Sequence, residues 1–208
     1  MGFYTDKLLP GMVDWVCGAR FFTRQRQKVV AEARGVVLEV GIGGGRNLAL
    51  YDPNKVSRVV AFDPNPRHLK QARRRAEAVP FPVELLQMQG ETCEIEPASI
   101  DTVVLTYTLC TIPDAAAALQ AMRDTLKADG QLLFCEHCVA PDASVRKWQR
   151  RIEPLWKPLA GGCHLTRSAA DLIQANGFAI DTIEQAYAPG GPRWVGFHHV
   201  GTAHRRTG

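Results

Sequence analysis

The chain has 208 residues, 46% of them hydrophobic and 22% charged, with a formal net charge of +4. That length carries one domain with a full core, the composition excludes disorder as the default, and no apolar run is long enough for a membrane span. The basic clusters, Arg73, Arg74 and Arg75 and then Arg20, Arg24, Arg26 and Lys28, read as solvated helix faces, so no nucleic-acid partner is expected.

Residues 1–34 read as a helical cap, with Trp15, Val16, Ala19 and Phe22 at apolar spacing. Packing on the sheet is the plain expectation; a lid, or a surface in peripheral contact with a membrane, is the functional one. From residue 36 strands and helices alternate. The β-branched run VVLEV (36–40) predicts a first strand and RVVAFD (58–63) a second. Asn65 followed by Pro66 predicts a helix start. VELLQM (83–88) and DTVVLTY (101–107) are the third and fourth strands. Asp114 caps an alanine-rich helix reaching about Lys127, and Gly130 opens a fifth strand, QLLFCE. A helix from Ser144 should stop near Pro154. Ser168 and Asp171 have capping-box spacing, and that helix ends at Gly177. FAIDTIEQA (178–186) and WVGFHHVGTA (194–203) complete seven strands. The alternation predicts an α/β fold, a mostly parallel sheet with helices on both faces, closed by an antiparallel hairpin that places one reversed strand at an edge. One domain is expected, with a core over residues 35–140 and a substrate-side cap with the closing strands over 141–208.

EVGIGGGRN follows the first strand. A dinucleotide fingerprint needs glycine at position 46, which is Arg46. The pattern acidic-x-G-x-G-x-G is met by Glu39, Gly41, Gly43 and Gly45, with Asp63 at the end of the second strand, 18 residues past Gly45. This is the signature of class I S-adenosylmethionine (SAM) enzymes, which the chain resembles. SAM carries no phosphate, so close backbone approach through glycines and two strand-end acids suit it better than a phosphate cradle. Glu39 would organise the ammonium end and Asp63 would accept the ribose hydroxyls.

After residue 34 the chain is similar to the small ubiquinone-biosynthesis-like methyltransferases, and within them to the thiol S-methyltransferase branch. The resemblance rests on DPNP (63–66), LC (109–110), EH (136–137), EPLWK (153–157) and GGCHLTR (161–167). It implies a Rossmann-like methyltransferase fold with SAM as cofactor, held by Glu39, Gly41, Ile42, Gly43, Gly45, Asp63, Pro64, Gln89, Gly90, Glu91, Thr106 and Tyr107. Animal members add a hydrophobic N-terminal anchor that is not expected in this chain, so membrane attachment is not carried over and a cytoplasmic enzyme is expected.

The acceptor implied is a small apolar thiol, sulfide included. A thiol with a pKa of roughly 8.5 is only a few per cent thiolate at neutral pH, so His137 and His164 are candidate bases or thiolate stabilisers. Tyr4, Trp15, Tyr107, Trp148, Trp156 and Cys163 are candidate pocket walls, and Arg167 a structural partner of the helix that follows. No metal site is expected: Cys135 and Cys138 form a C-x-x-C that Cys163 and His164 complete only on paper. The alternatives are a C- or O-methyltransferase of quinone type, an N-methyltransferase of phospholipid head groups, and a non-catalytic SAM sensor.

Overall fold

The computed structural model describes residues 20–92, 94–190 and 192–206. Tyr4, Trp15 and the rest of the expected cap ahead of Arg20 lie outside the described residues, as does Cys93. The β-branched run after Arg34 forms β1 (Gly35–Val40), whose last four residues are buried. β2 (Val56–Phe62), β3 (Val83–Leu86), β4 (Ile100–Thr106) and β5 (Leu126–His137) run parallel to it. Helices α1 (Arg20–Val30), α2 (Pro66–Ala76), α3 (Ala115–Thr125), α4 (Ala143–Leu159) and α5 (Ala169–Ala175) surround them. β6 (Phe178–Tyr187), the short α6 (Arg193–Gly196) and β7 (Phe197–Arg205) end the fold. The sheet order is β3-β2-β1-β4-β5-β7-β6.

Caps form where the side chains ask for them. The Asn65 carboxamide accepts from Arg67 N at 3.0 Å with Pro66 at the first helical position, Asp114 accepts from Ala117 N at 2.9 Å, and Ser168 from Asp171 N at 3.4 Å. The period of two along each strand sorts the core into two layers. Leu38, Val40, Phe62, Leu105 and Phe134 pack toward Leu119, Met122 and Ile173. Val37, Val59, Ala61 and Val104 pack toward Val29, Val30, Leu69 and Ala72 on the other face.

Three expectations need correction. β7 is antiparallel to both β5 and β6 and lies between them, so the reversed strand is interior and β6 forms the edge. The polar run IDTIEQ of β6 is largely exposed and suits an edge, whereas the first five residues of β7 are buried. The second correction is α4, which continues through Pro154 and Pro158 to Leu159. Both prolines are exposed, so the carbonyls they leave without partners can be hydrated. Third, α3 ends at Thr125 and β5 starts at once with the fully buried Leu126.

Candidate active site

The sheet order reverses between β1 and β4, which leaves a crevice beyond the carboxyl ends of the strands. A cavity of about 480 Å³ opens there. Its floor is the turn after β1. Gly43 N donates to Asp63 Oδ2 at 3.0 Å, and Ile42 N to Phe62 O at 3.0 Å, so the turn is tied to the end of β2. Gly43 has φ +54° and a Cβ there would meet nothing within 4 Å, so its backbone faces open space. Gly45 has a different task. Its added Cβ would stand 2.9 Å from Ala72 Cα, so this glycine lets α2 approach the turn and does not line the cavity. Of the twelve cofactor residues expected from sequence it is the one absent from the cavity wall; the other eleven all line it.

The two acids are held differently. Glu39 is 2% exposed and accepts from Tyr51 Oη at 2.8 Å and Asn47 Nδ2 at 3.0 Å. Burial pushes its carboxyl up to about 7, against the pull of Tyr51 and Asn47. Asn47 Nδ2 also reaches Thr106 Oγ1 at 2.9 Å, bracing the ends of β1 and β4 together. Asp63 accepts from Asn65 N at 2.8 Å and meets His68 Nδ1 at 3.0 Å through Oδ1, beside the Gly43 contact at Oδ2. Gln89, Gly90 and Glu91 line the wall after β3, where Glu91 accepts from Asp114 N at 3.2 Å.

Tyr107 follows β4 directly with φ +56°, an unusual backbone state for a bulky side chain. Its ring lies edge-on to Phe22 and His198, at 4.7 and 5.5 Å, and takes Cys135 Sγ at its hydroxyl, 3.4 Å away. Arg26, expected on a solvated helix face, is instead buried, with its guanidinium carbon 5.5 Å from the centroid of the same ring. The next loop, residues 108–113, is gripped on both sides. Glu136, 1% exposed, accepts from Thr108 N at 2.8 Å and Leu109 N at 3.1 Å. Arg167 donates to Leu109 O, Ile112 O and Pro113 O at 2.8, 2.6 and 3.3 Å. It therefore ties the loop rather than the following helix. Burial pushes Glu136 up to about 7 as well.

The expected acceptor-side residues separate. Trp148 is 60% exposed on α4, because its position on the helix points away from the sheet, and it does not belong to the cavity wall. Trp156 packs edge-on to Trp194 at 5.0 Å and donates to Cys163 Sγ at 3.2 Å. His137 Nε2 lies 3.0 Å from the same sulfur. Hydrogen bonds from Cys110, His137 and Trp156 hold the Cys163 thiol well below its ordinary value. His164 Nδ1 pairs with Glu153 Oε1 at 3.4 Å, and burial together with Arg167 and Lys157 lowers its pKa. Neither His137 nor His164 lines the cavity; Ala160 and Gly161, just ahead of Cys163, do. Sequence reasoning gave no role to Glu136, Asn47 or Tyr51. Only Glu136, an acid inside an otherwise apolar strand run, carried a visible signal.

The methyltransferase domain family matches residues 38–134. The thiol S-methyltransferase TMT1B of Rattus norvegicus is 35% identical over 173 residues, covering 80% of this chain and 69% of that protein. A phosphatidylethanolamine N-methyltransferase of Cereibacter sphaeroides is 31% identical over 136 residues, covering 62% of this chain and 66% of its own. The complex of the Haloferax volcanii Trm112 methyltransferase activator with a methyltransferase aligns at TM-score 0.73 and 14% identity, covering 99% and 96% of the chains, and supports the fold alone. This chain belongs to the class I SAM-dependent methyltransferases, in the family that holds the TMT1 thiol S-methyltransferases. It is an enzyme and its cofactor is SAM. The open space before Gly43 and the two acids at the crevice fit that group. No helix among the described residues is long and apolar enough to cross a membrane.

Proposed function

We propose that this chain S-methylates small, apolar thiols. The observation that carries this reading is the 35% identity with rat TMT1B over 80% of the chain. SAM supplies a methyl group already activated on a sulfonium, so alignment and exclusion of water remain for the protein. In this reading Asp63 accepts the ribose hydroxyls and the Gly41–Gly43 backbone lies under the amino-acid end. Gln89, Gly90 and Glu91 flank the adenine, while Ile42 and Pro64 complete the apolar walls. Thr106 and Tyr107 stand beside the methyl position, and Ala160 and Gly161 close it on the acceptor side. Of the two candidate histidines, His164 is the one whose ring is not tied to a sulfur, pairing instead with Glu153 at 3.4 Å. The test is incubation with SAM and a panel of thiols, phenols, amines and quinones. Methylated thiols are expected; turnover of another acceptor class with no thiol product would remove the assignment.

Glu39 gives this reading a pH signature. Buried and protonated below about pH 7, it should surrender its proton when a cationic ammonium is bound beside it. Affinity for SAM is then expected to rise as pH climbs from about 5.5 to 8, with net proton release. Calorimetry in buffers of different protonation enthalpy measures this, and pH-independent affinity without proton release would take Glu39 out of the ammonium site.

A second reading, methylation of a phospholipid amine, is favoured by the identity with the Cereibacter sphaeroides enzyme and by the exposed Trp148 and Leu155 on basic helix α4. Sedimentation with anionic liposomes tests it; protein left in the supernatant would argue against it.

A further inference from the structure

Three of the short stretches that carry the family resemblance converge behind the cavity wall. LC contributes Cys110, EH contributes His137, and GGCHLTR contributes Cys163. One donor atom from each lies within 4.8 Å of the other two, and the residues are 3%, 5% and 6% exposed. His164 N donates to Cys110 O at 2.9 Å, which holds the two cysteine-bearing loops side by side.

One nitrogen of the imidazole is left without a partner among the described residues. A ring withdrawn from water ordinarily finds a partner for both nitrogens. His137 Nδ1 has none among the described residues, and Nε2 faces sulfur at 3.0 Å. Two sulfurs and one imidazole nitrogen, all buried, form a donor set for a borderline-soft cation and a poor one for Mg²⁺ or Ca²⁺, which take oxygen. Trp156 Nε1 donates to Cys163 Sγ at 3.2 Å, the outer hydrogen bond that orients a ligating sulfur. The C-x-x-C pair stays apart from this cluster: Cys135 Sγ turns to Tyr107 Oη at 3.4 Å and Cys138 Sγ to Glu136 O at 3.6 Å.

We propose that Cys110, Cys163 and His137 form a three-ligand site for a thiophilic divalent cation of the Zn²⁺ class. Bonds of about 2.3 Å to sulfur and 2.0 Å to nitrogen set tetrahedral donors about 3.5–3.8 Å apart. The His137–Cys163 contact, 3.0 Å, would have to open by about 0.5 Å to reach that range, while the other two donor pairs lie no more than 4.8 Å apart. Both thiols are deprotonated on binding, and the fourth tetrahedral position is left to water or an external ligand. Bound there, the ion joins the loop after β4 to the loop after α4. Thr111 on one and Ala160 and Gly161 on the other line the cavity, so the ion sets the acceptor-side wall whatever the acceptor is.

The test is a Co²⁺ titration of the reduced, chelator-stripped full chain, followed by displacement with Zn²⁺. One equivalent should produce sulfur-to-cobalt charge transfer and the visible bands of a tetrahedral site. Cys110→Ser and Cys163→Ser should each abolish the spectrum, Cys138→Ser should retain it, and Trp156→Phe should weaken binding by about 10-fold or more. Absence of the charge-transfer band in wild type at one equivalent overturns the proposal. So does a band that survives in the Cys110→Ser/Cys163→Ser double variant. X-ray absorption of the zinc-loaded wild type does not depend on the variants folding: two sulfur neighbours and at least one nitrogen support the site, and an oxygen-dominated shell refutes it.

Discussion

Replacing Asp63 with alanine is expected to weaken binding of S-adenosylhomocysteine by about 10²–10⁴-fold, measured by calorimetry. A carboxylate accepting two hydroxyl protons makes two charge-assisted hydrogen bonds, each worth about 1.5–3 kcal/mol. Asp63 is rigidly placed for this: Asn65 N, His68 and Gly43 N fix its oxygens while the residue lines the crevice. Part of the loss in the alanine variant would come from the Gly43 turn, which loses an anchor. Asp63→Asn loses the charge and keeps one acceptor oxygen, which can serve Gly43 N or Asn65 N but not both, so its melting temperature against that of Asp63→Ala gauges the structural share. It should lose less stability than the alanine variant and still bind weakly. Tight binding by both variants would remove Asp63 from the ribose.

The second large effect concerns Glu136. Burial raises its carboxyl from 4.5 to about 7 in the folded protein, against the pull of the Thr108 and Leu109 amides. A carboxyl that binds its proton more tightly when folded contributes fully below its unfolded pKa and loses that contribution as pH rises through its folded one. Stability should therefore fall between about pH 4.5 and 7, by about 3 kcal/mol from this group at about 1.4 kcal/mol per pH unit. Glu39 adds a fall of the same sign over the same window. Glu136→Gln mimics the protonated acid, keeps an acceptor for Thr108 N and Leu109 N, and should flatten its share of the fall in urea denaturation. Glu136→Ala leaves both amides buried without that partner and should destabilise the fold at every pH by about 2–4 kcal/mol. Parallel pH profiles for wild type and Glu136→Gln would show that the carboxylate is not held up by burial.

The cavity-lining half of the candidate site was legible because its constraints are local. A glycine turn after an apolar strand and an acid at the end of the next strand announce themselves by spacing, and both reach the crevice. Gly45 fits the same pattern and serves helix packing instead, since spacing cannot separate a glycine that faces a ligand from one that faces Ala72. The acceptor half was less legible because its contacts join distant segments. Arg167 grips carbonyls more than fifty residues back in the chain, and Cys110 meets Cys163 only because β4 and α4 deliver their loops to one place. Trp148 and Trp156 look alike in sequence, and only the rotation of α4 sends one to solvent and the other to a sulfur. The position of β7 followed from neither periodicity nor turn chemistry, because a hairpin can add to a sheet by either of its strands.

That position of β7 has a consequence during synthesis. As the chain leaves the ribosome, β1 to β5 can associate in order, yet the outer edge of β5 has no partner until residues 197–205 emerge, because β6 is made earlier but pairs only with β7. The apolar LLFC of β5 is thus a bare strand edge for the time needed to translate some sixty further residues, several seconds at roughly 5–20 residues per second. Ribosome-stalled chains ending before β7 should recruit holdase chaperones at β5, and release of the final strand should dismiss them.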